Sequence, residues 1–180
     1  MQCIYNTLYE MMSDRDFHTE TKNTSNIEIN NFNITFISNN TNNEIIVFYI
    51  NNSKIGINHI KTIIETIENK NCKNAIIIYS LVVTSFAKQF IESSKYNIEL
   101  FNENELLKNI TKHYLVPKHK LLNNNDIELL LQQLQIKSDN LPKLKKHDPI
   151  CRYYGAKIND VFEITRYDNN IKSLYYRIVI

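Results

Sequence analysis

The spacing of apolar positions changes several times along the chain, and each change marks an element. Ile4, Tyr5, Leu8, Met11 and Met12 follow a three-four spacing, which predicts a short amphipathic helix over residues 4–17 that ends near Ser13 or Asp14. Thr19 to Asn33 is polar and rich in Asn, and reads as loop. Ile34–Ile37 and Ile45–Ile50 are short, β-branched and bounded by Asn clusters, which is the pattern of strands. From Asn58 the period lengthens: Ile60, Ile63, Ile64 and Ile67 form one stripe of a helix running to about Lys70. Ala75 to Tyr79 is continuously apolar, as expected of a strand buried on both faces. Phe86, Ala87, Phe90 and Ile91 mark a second helix, and Ile98–Phe101 a further strand. Strands alternating with helices predict a parallel or mixed sheet with helices packed on it.

Beyond Leu106, Leu107 and Ile110 the character shifts. Residues 1–110 carry nine Lys and Arg against 12 Asp and Glu, a net −3, whereas residues 111–180 carry 12 against seven, a net +5. All three prolines, Pro117, Pro142 and Pro149, fall in the second part. These changes put a boundary between Asn109 and His113, dividing the chain into an α/β domain of residues 1–110 (mixed sheet flanked by helices) and a small α+β domain of residues 111–180. In the latter, Asp126 is placed to cap a helix whose stripe is Ile127, Leu130, Leu131 and Leu134. Val161–Tyr167 and Leu174–Ile180 alternate as two strands of a hairpin turning through Asp168, Asn169 and Asn170.

Composition narrows the function. Gly56 and Gly155 are the two glycines of the chain, about a hundred residues apart, so the glycine-rich loops that cradle nucleotide phosphates cannot be built. No cofactor and no small-molecule substrate are expected. The chain holds 27 Asn and 28 Ile, a skew that fits a coding sequence biased toward A and T. A formal charge of +2 disfavours a partner held by bulk positive charge, so any nucleic-acid contact must be local. Cys3, Cys72 and Cys151 are scattered and odd in number, which suits a reducing compartment. No run approaches the roughly 20 apolar residues of a membrane span, and Met1–Glu10 lacks the features of a signal peptide. A soluble protein that is not secreted and does not engage membranes is the expectation.

Three chemistries can be weighed. His113, His119, His147 and Cys151 are metal-ligand types, but only His147 and Cys151 have the close spacing that zinc sites use, so no metal site is expected. A metal-dependent nuclease needs a lone acid on one strand and an acid-x-Lys triplet on the next; the matching triplet, Glu68-Asn69-Lys70, falls at a predicted helix end. Nothing in the sequence marks Cys151 as an activated nucleophile. No catalytic residue is assigned, and a nuclease-like enzyme on the first domain is the alternative reading. The stretch Leu141-Pro142-Lys143 followed by Asp148-Pro149-Ile150-Cys151-Arg152-Tyr153-Tyr154-Gly155 stands apart from ordinary loop. Its prolines stiffen it, Asp148 can fold onto the backbone, Gly155 permits a positive φ, and Arg beside Tyr is an interface composition.

These residues are recognisable. Thr111 to His119 (Thr-Lys-His-Tyr-Leu-Val-Pro-Lys-His), Leu141-Pro142-Lys143, Asp148-Pro149, Arg152-Tyr153-Tyr154-Gly155 and Tyr176-Arg177-Ile178-Val179 resemble the fifth subunit shared by the eukaryotic nuclear RNA polymerases, and its archaeal counterpart. Val47-Phe48-Tyr49, Lys54-Ile55-Gly56-Ile57, Lys61-Thr62-Ile63 and Ala87-Lys88-Gln89 resemble the eukaryotic subunit in the first part. The resemblance implies a non-catalytic subunit of DNA-dependent RNA polymerase. Its C-terminal domain would dock on the largest subunit and neighbouring small subunits, and its N-terminal domain would form part of the lower jaw near downstream DNA. His113, Val116, Pro117, His119, Pro142, Asp148, Pro149, Arg152, Tyr153, Tyr154, Gly155 and Arg177 become candidate interface residues. Thr84, Ser85, Lys88 and Gln89 become candidates for weak contact with downstream duplex DNA, because they occupy a loop that in the family reads Thr-Pro-Ser-Ala-Lys and here reads Thr84-Ser85-Phe86-Ala87-Lys88. Relative to the family, the region before Glu44 is shortened and the last hairpin loop trimmed. The shortened chain and the A+T bias suit a large DNA virus of eukaryotes, with the protein in the virion or a cytoplasmic factory, somewhat better than an A+T-rich protist, with the protein in the nucleus.

Overall fold

The computed structural model describes residues 2–19, 31–38, 43–51, 53–168 and 171–180, and the chain divides into two compact units, 1–108 and 109–180. The division falls two residues ahead of the expected one.

In the first unit α1 (Gln2–Asp14) is followed by β1 (Phe17–Thr19), β2 (Asn31–Ser38), β3 (Glu44–Ile50), α2 (Ile57–Asn69), β4 (Asn74–Tyr79), α3 (Ser85–Glu92) and β5 (Asn97–Asn102). The sheet runs β1-β2-β3-β4-β5, antiparallel through β3 and parallel from β3 to β5, so α2 and α3 are the crossovers that parallel neighbours require. Asn31–Asn33 and Thr19, expected in a loop, lie in strands, and residues 20–30 fall outside the described ones. Asn has low strand propensity, but the ladder that sets Asn31 opposite Ile50 and Asn33 opposite Phe48 of β3 overrides it.

The isoleucines decide the packing. Ile46 and Phe48 of β3 and Ala75 and Ile77 of β4 meet Ile60, Ile63 and Ile67 of α2 and Ala87 and Ile91 of α3 in one buried cluster. Their strand neighbours Val47, Tyr49, Ile76 and Ile78 are also buried and point to the opposite face. On α1, Ile4, Leu8, Met11 and Met12 are buried, while Tyr9 meets Phe36 of β2 edge to face at 5.5 Å. The guanidinium of Arg15, 5% exposed, grips both carboxylate oxygens of Glu99 on β5 at 3.0 and 2.9 Å.

The second unit contains β6 (Lys118–Leu121), α4 (Asn124–Leu134), β7 (Lys143–Leu144), α5 (Pro149–Tyr154), β8 (Val161–Asp168) and β9 (Ile171–Val179). Its sheet runs β6-β8-β9-β7, with β7 parallel to β9 and the other pairs antiparallel. Val161 and Ile178 pack with Leu130 of α4 and with Leu141. Phe162, Ile164 and Val179 pack on the other side with Ile150 and Cys151 of α5. Asn123, not Asp126, caps α4: its side-chain oxygen accepts the Asp126 N–H at 2.8 Å, so Asp126 sits inside the first turn. The β8–β9 register opposes Asp168 to Ile171, which lengthens the second strand of the hairpin toward its tip. Among the described residues no helix is long and apolar enough to cross a membrane.

Removing one member of a largely buried ion pair strands the other charge. Glu99→Gln is expected to lower stability by about 2 kcal/mol, read as an earlier urea midpoint at unchanged slope, and Arg15→Met combined with Glu99→Leu recovers most of it.

Candidate functional site

The candidate interface residues gather around α5. Asp148 caps this helix, its Oδ1 accepting the Ile150 N–H at 2.9 Å, and Pro149 occupies a first-turn position where a missing N–H costs nothing. At the other end Gly155 adopts φ 62°, a left-handed conformation that closes the helix through Gly155 N–H to the Arg152 carbonyl (3.1 Å) and Ala156 N–H to the Cys151 carbonyl (2.9 Å). Ile150, Cys151 and Tyr153 turn inward, and Arg152 and Tyr154 remain half-exposed.

The sheet face beneath α5 supplies the rest. The register sets His119 of β6 opposite Ile164 and Arg177 of β9 opposite Phe162, on the face that α5 covers. The Tyr154 hydroxyl donates to the His119 carbonyl at 3.2 Å, and both rings meet Phe162 edge to face, at 5.7 and 6.0 Å. His119 Nδ1 lies 2.7 Å from the Pro117 carbonyl. Burial pulls the His119 pKa below its ordinary value of 6.5, and Arg166 and Arg177 add to that pull, whereas the bond to Pro117 and the charge of Asp148 oppose it.

Some candidates belong elsewhere. Tyr153 is 3% exposed and its hydroxyl accepts the Asn109 amide at 3.0 Å, so it closes the core and offers no face to a partner. Val116 and Pro117 are half-buried, Pro142 and Pro149 are exposed, and the Pro142 carbonyl is engaged by Ile178 N–H at 2.9 Å. His113 is exposed and stacked on Tyr114 at 4.9 Å. Tyr114 is 87% exposed and Leu115 70%, a pair that the sequence reading passed over. Their types resemble core residues; the signal was their place between His113 and Val116, inside the most recognisable motif.

In the first unit Thr84 caps α3, its hydroxyl accepting the Ala87 N–H at 3.2 Å, and Ser85, Lys88 and Gln89 are exposed. Ala87 packs in the core, but Phe86 does not: it is 72% exposed.

The Glu68-Asn69-Lys70 triplet sits at the end of a helix and not on a strand. Glu68 lies near the end of α2, where its carboxylate accepts the Tyr96 hydroxyl at 2.8 Å and faces Lys95 at 3.6 Å. The acids of the central strands are otherwise occupied, Glu99 by Arg15 and Glu44 by the Cys72 thiol at 3.2 Å. Burial pushes the Cys72 and Cys151 thiols each up to about 11, with carboxylates adding to it, which opposes thiolate formation. Among the described residues no group of three or more His, Cys, Asp and Glu could hold a metal ion.

The second unit is a small mixed sheet carrying a helix capped at both ends, and the first is an α/β unit whose central strands are filled with apolar side chains. Residues 108–179 match the family model of RNA polymerase Rpb5, C-terminal domain, and residues 7–110 match a restriction endonuclease model. The chain is similar to "DNA-directed RNA polymerases I, II, and III subunit rpabc1" of Dictyostelium discoideum, 39% identical over 126 residues, covering 68% of this chain and 64% of that protein. It is also similar to the Caenorhabditis elegans subunit RPABC1 (35% over 140 residues, 76% and 66%) and to "DNA-directed RNA polymerases IV and V subunit 5B" of Arabidopsis thaliana (34% over 116 residues, 64% and 53%). The chain therefore belongs to the family of the shared Rpb5 subunit of eukaryotic-type RNA polymerases, and its residues 7–110 are similar to a restriction endonuclease. It spans just under two thirds of the Dictyostelium and Caenorhabditis proteins.

The lowered pKa of His119 gives a pH dependence. Protons bind the unfolded chain more tightly at this site, so its contribution is complete above about 6.5 and is lost as pH falls below it. The urea midpoint of the full chain is expected to drop between pH 7 and pH 5, and His119→Gln to flatten that drop; an unchanged slope in the variant assigns the loss to other groups.

Proposed function

We propose that this protein is a structural subunit of a multisubunit DNA-dependent RNA polymerase. Residues 109–180 dock on the largest subunit and neighbouring small subunits, and residues 1–108 form part of the lower jaw near downstream duplex DNA. The observation that carries this reading is α5: a short helix fixed at both ends by Asp148 and Gly155, which holds Tyr154 against His119 and leaves Arg152 half-exposed, in a unit that matches the Rpb5 C-terminal domain along nearly its whole length. Arg and Tyr at such a surface are the residue types that dominate binding energy when desolvated. The Asn and Ile skew supports an A+T-rich genome, which suits a large DNA virus and a protist alike; we slightly favour the virus, with the protein in virions or cytoplasmic factories, and a cellular gene would put it in the nucleus.

Affinity purification with mass spectrometry tests the assignment: the protein is expected in stoichiometric amounts with the large catalytic subunits, and recovery without them overturns it. Arg152→Ala is expected to weaken assembly about thirtyfold, equivalent to about 2 kcal/mol, with unchanged circular dichroism and melting. An early melt instead makes Arg152 structural.

The DNA contact is local. Lys88 and the exposed Ser85 lie in the first turns of α3, where the helix start favours anions and can steady a phosphate without reading a base. In the assembled enzyme, Lys88→Glu is expected to weaken crosslinking to downstream duplex and reduce its salt dependence by about one phosphate contact. Unchanged crosslinking would leave the segment without a DNA role.

A further inference from the structure

The carboxyl ends of β3 and β4 lead into two adjacent segments, each of which starts a helix. Ile55 N–H donates to the Val82 carbonyl at 3.0 Å, and Thr84 N–H donates to the Ile55 carbonyl at 3.1 Å, which locks residues 53–57 alongside 81–84. Ile55 and Val83 point into the core. Their neighbours do not: Ile57 is 37% exposed, Leu81 54%, Val82 56% and Phe86 72%. Four large apolar side chains thus share one end of the sheet, all within the locked segments or just beyond them.

The charge at this end is as distinctive as its apolarity. Residues 51–64 and 80–91 contain no Asp or Glu but carry Lys54, Lys61 and Lys88, all exposed, in a unit whose net charge is −3. The positive ends of α2 and α3 start here too. Glu65 and Glu92 follow these stretches, and Glu103 and Glu105 follow β5, with Glu103 engaged by the Tyr49 hydroxyl. A surface built only for phosphates would not expose an aromatic and three aliphatic side chains, and a surface with apolar contacts alone would not segregate charge in this way.

We infer that this end of the first unit is a docking patch for an acidic amphipathic segment of a partner protein, whose apolar side chains cover Leu81, Val82 and Phe86 while its Asp and Glu residues meet Lys54, Lys61 and Lys88. Apolar anchors ringed by charges of one sign give such a patch both affinity and selectivity for the opposite sign. The inference does not rest on polymerase assembly, because the patch is complete within the first unit.

The isolated full chain suffices to test it. The probe is a fluorescein-labelled 20-residue peptide with Leu and Phe at i, i+3, i+4 and i+7 spacing and Asp or Glu between, set against a scrambled peptide of the same composition and a 20-base-pair DNA duplex. Fluorescence anisotropy is expected to show saturable binding of the striped peptide, weakened at least about tenfold by scrambling and by Phe86→Ser with Leu81→Ser, at unchanged melting temperature. Lys54→Glu with Lys88→Glu is expected to weaken it severalfold and reduce its salt dependence. No binding of the striped peptide up to millimolar concentration, or binding indifferent to the Phe86 and Leu81 changes, overturns the inference. Displacement of the peptide by the duplex, with DNA binding lost in the lysine variant and unaffected by Phe86→Ser, makes the patch a nucleic-acid surface and also overturns it.

Discussion

The central strands of the first sheet are buried on both faces, as is the segment of the second sheet where Val161, Phe162, Ile178 and Val179 lie, and the rest of the structure depends on that constraint. A strand covered twice cannot alternate apolar with polar, so β3 and β4 read as unbroken isoleucine-rich runs, and helices must be supplied for each side. In the second unit the same requirement is met with less material: Val161 and Ile178 face α4, and Phe162 and Val179 face α5. Because α5 is the helix that covers its side of that small core, residues beside it are held by the packing of Ile150 and Cys151 and not by their own contacts.

The constraint also bears on the unit that matches a restriction endonuclease model. Cutting a phosphodiester requires carboxylates and a lysine converging on metal ions at the strands. Here the interior of β3 is Ile45 to Tyr49, all buried, and Tyr49 directs its hydroxyl to Glu103 at 2.9 Å. Burial and that carboxylate push the Tyr49 phenol up to about 12, which keeps it neutral and structural. β3 carries no acid beyond Glu44, and Glu99, Glu44 and Glu68 are engaged by Arg15, Cys72 and Tyr96.

Legibility in the sequence followed the strength of the local signal. The α2 stripe and the β4 run were readable because burial on a regular period leaves a pattern in residue type. Asn31–Asn33 were not, since their strand exists through a ladder to distant residues and not through propensity. Asp126 was misread as a cap because three consecutive Asn residues precede it and any of them can fill that role; Asn123 does. At the candidate site the cap, proline and glycine of α5 were legible as stiffness. The inward turn of Tyr153 was not, because on so short a helix adjacent tyrosines differ only in which side of the axis each one leaves. Phe86 misled for a related reason: its type argues for core, and only the placement of Ala87 and Ile91 fixes which face of α3 is inside.

The two ends of α5 set how the second unit can bind. A helix of six residues has no stability of its own in water, since nucleation costs more than one turn of hydrogen bonds returns. Asp148, Pro149 and Gly155 remove that cost at folding: the cap satisfies an orphan N–H, the proline presets φ, and the glycine accepts the left-handed turn that an L side chain resists. Under the docking proposed for this unit, a partner would meet Arg152 and Tyr154 on a backbone already ordered, with little conformational entropy left to lose on association. The same economy shapes the first unit, where the Ile55 to Val82 and Thr84 hydrogen bonds fix two loop segments that would otherwise be free to rearrange around a bound segment. Each exposed group argued to bind sits next to backbone whose hydrogen bonds are already made, so affinity can come from the side chains instead of being consumed in ordering the chain beneath them.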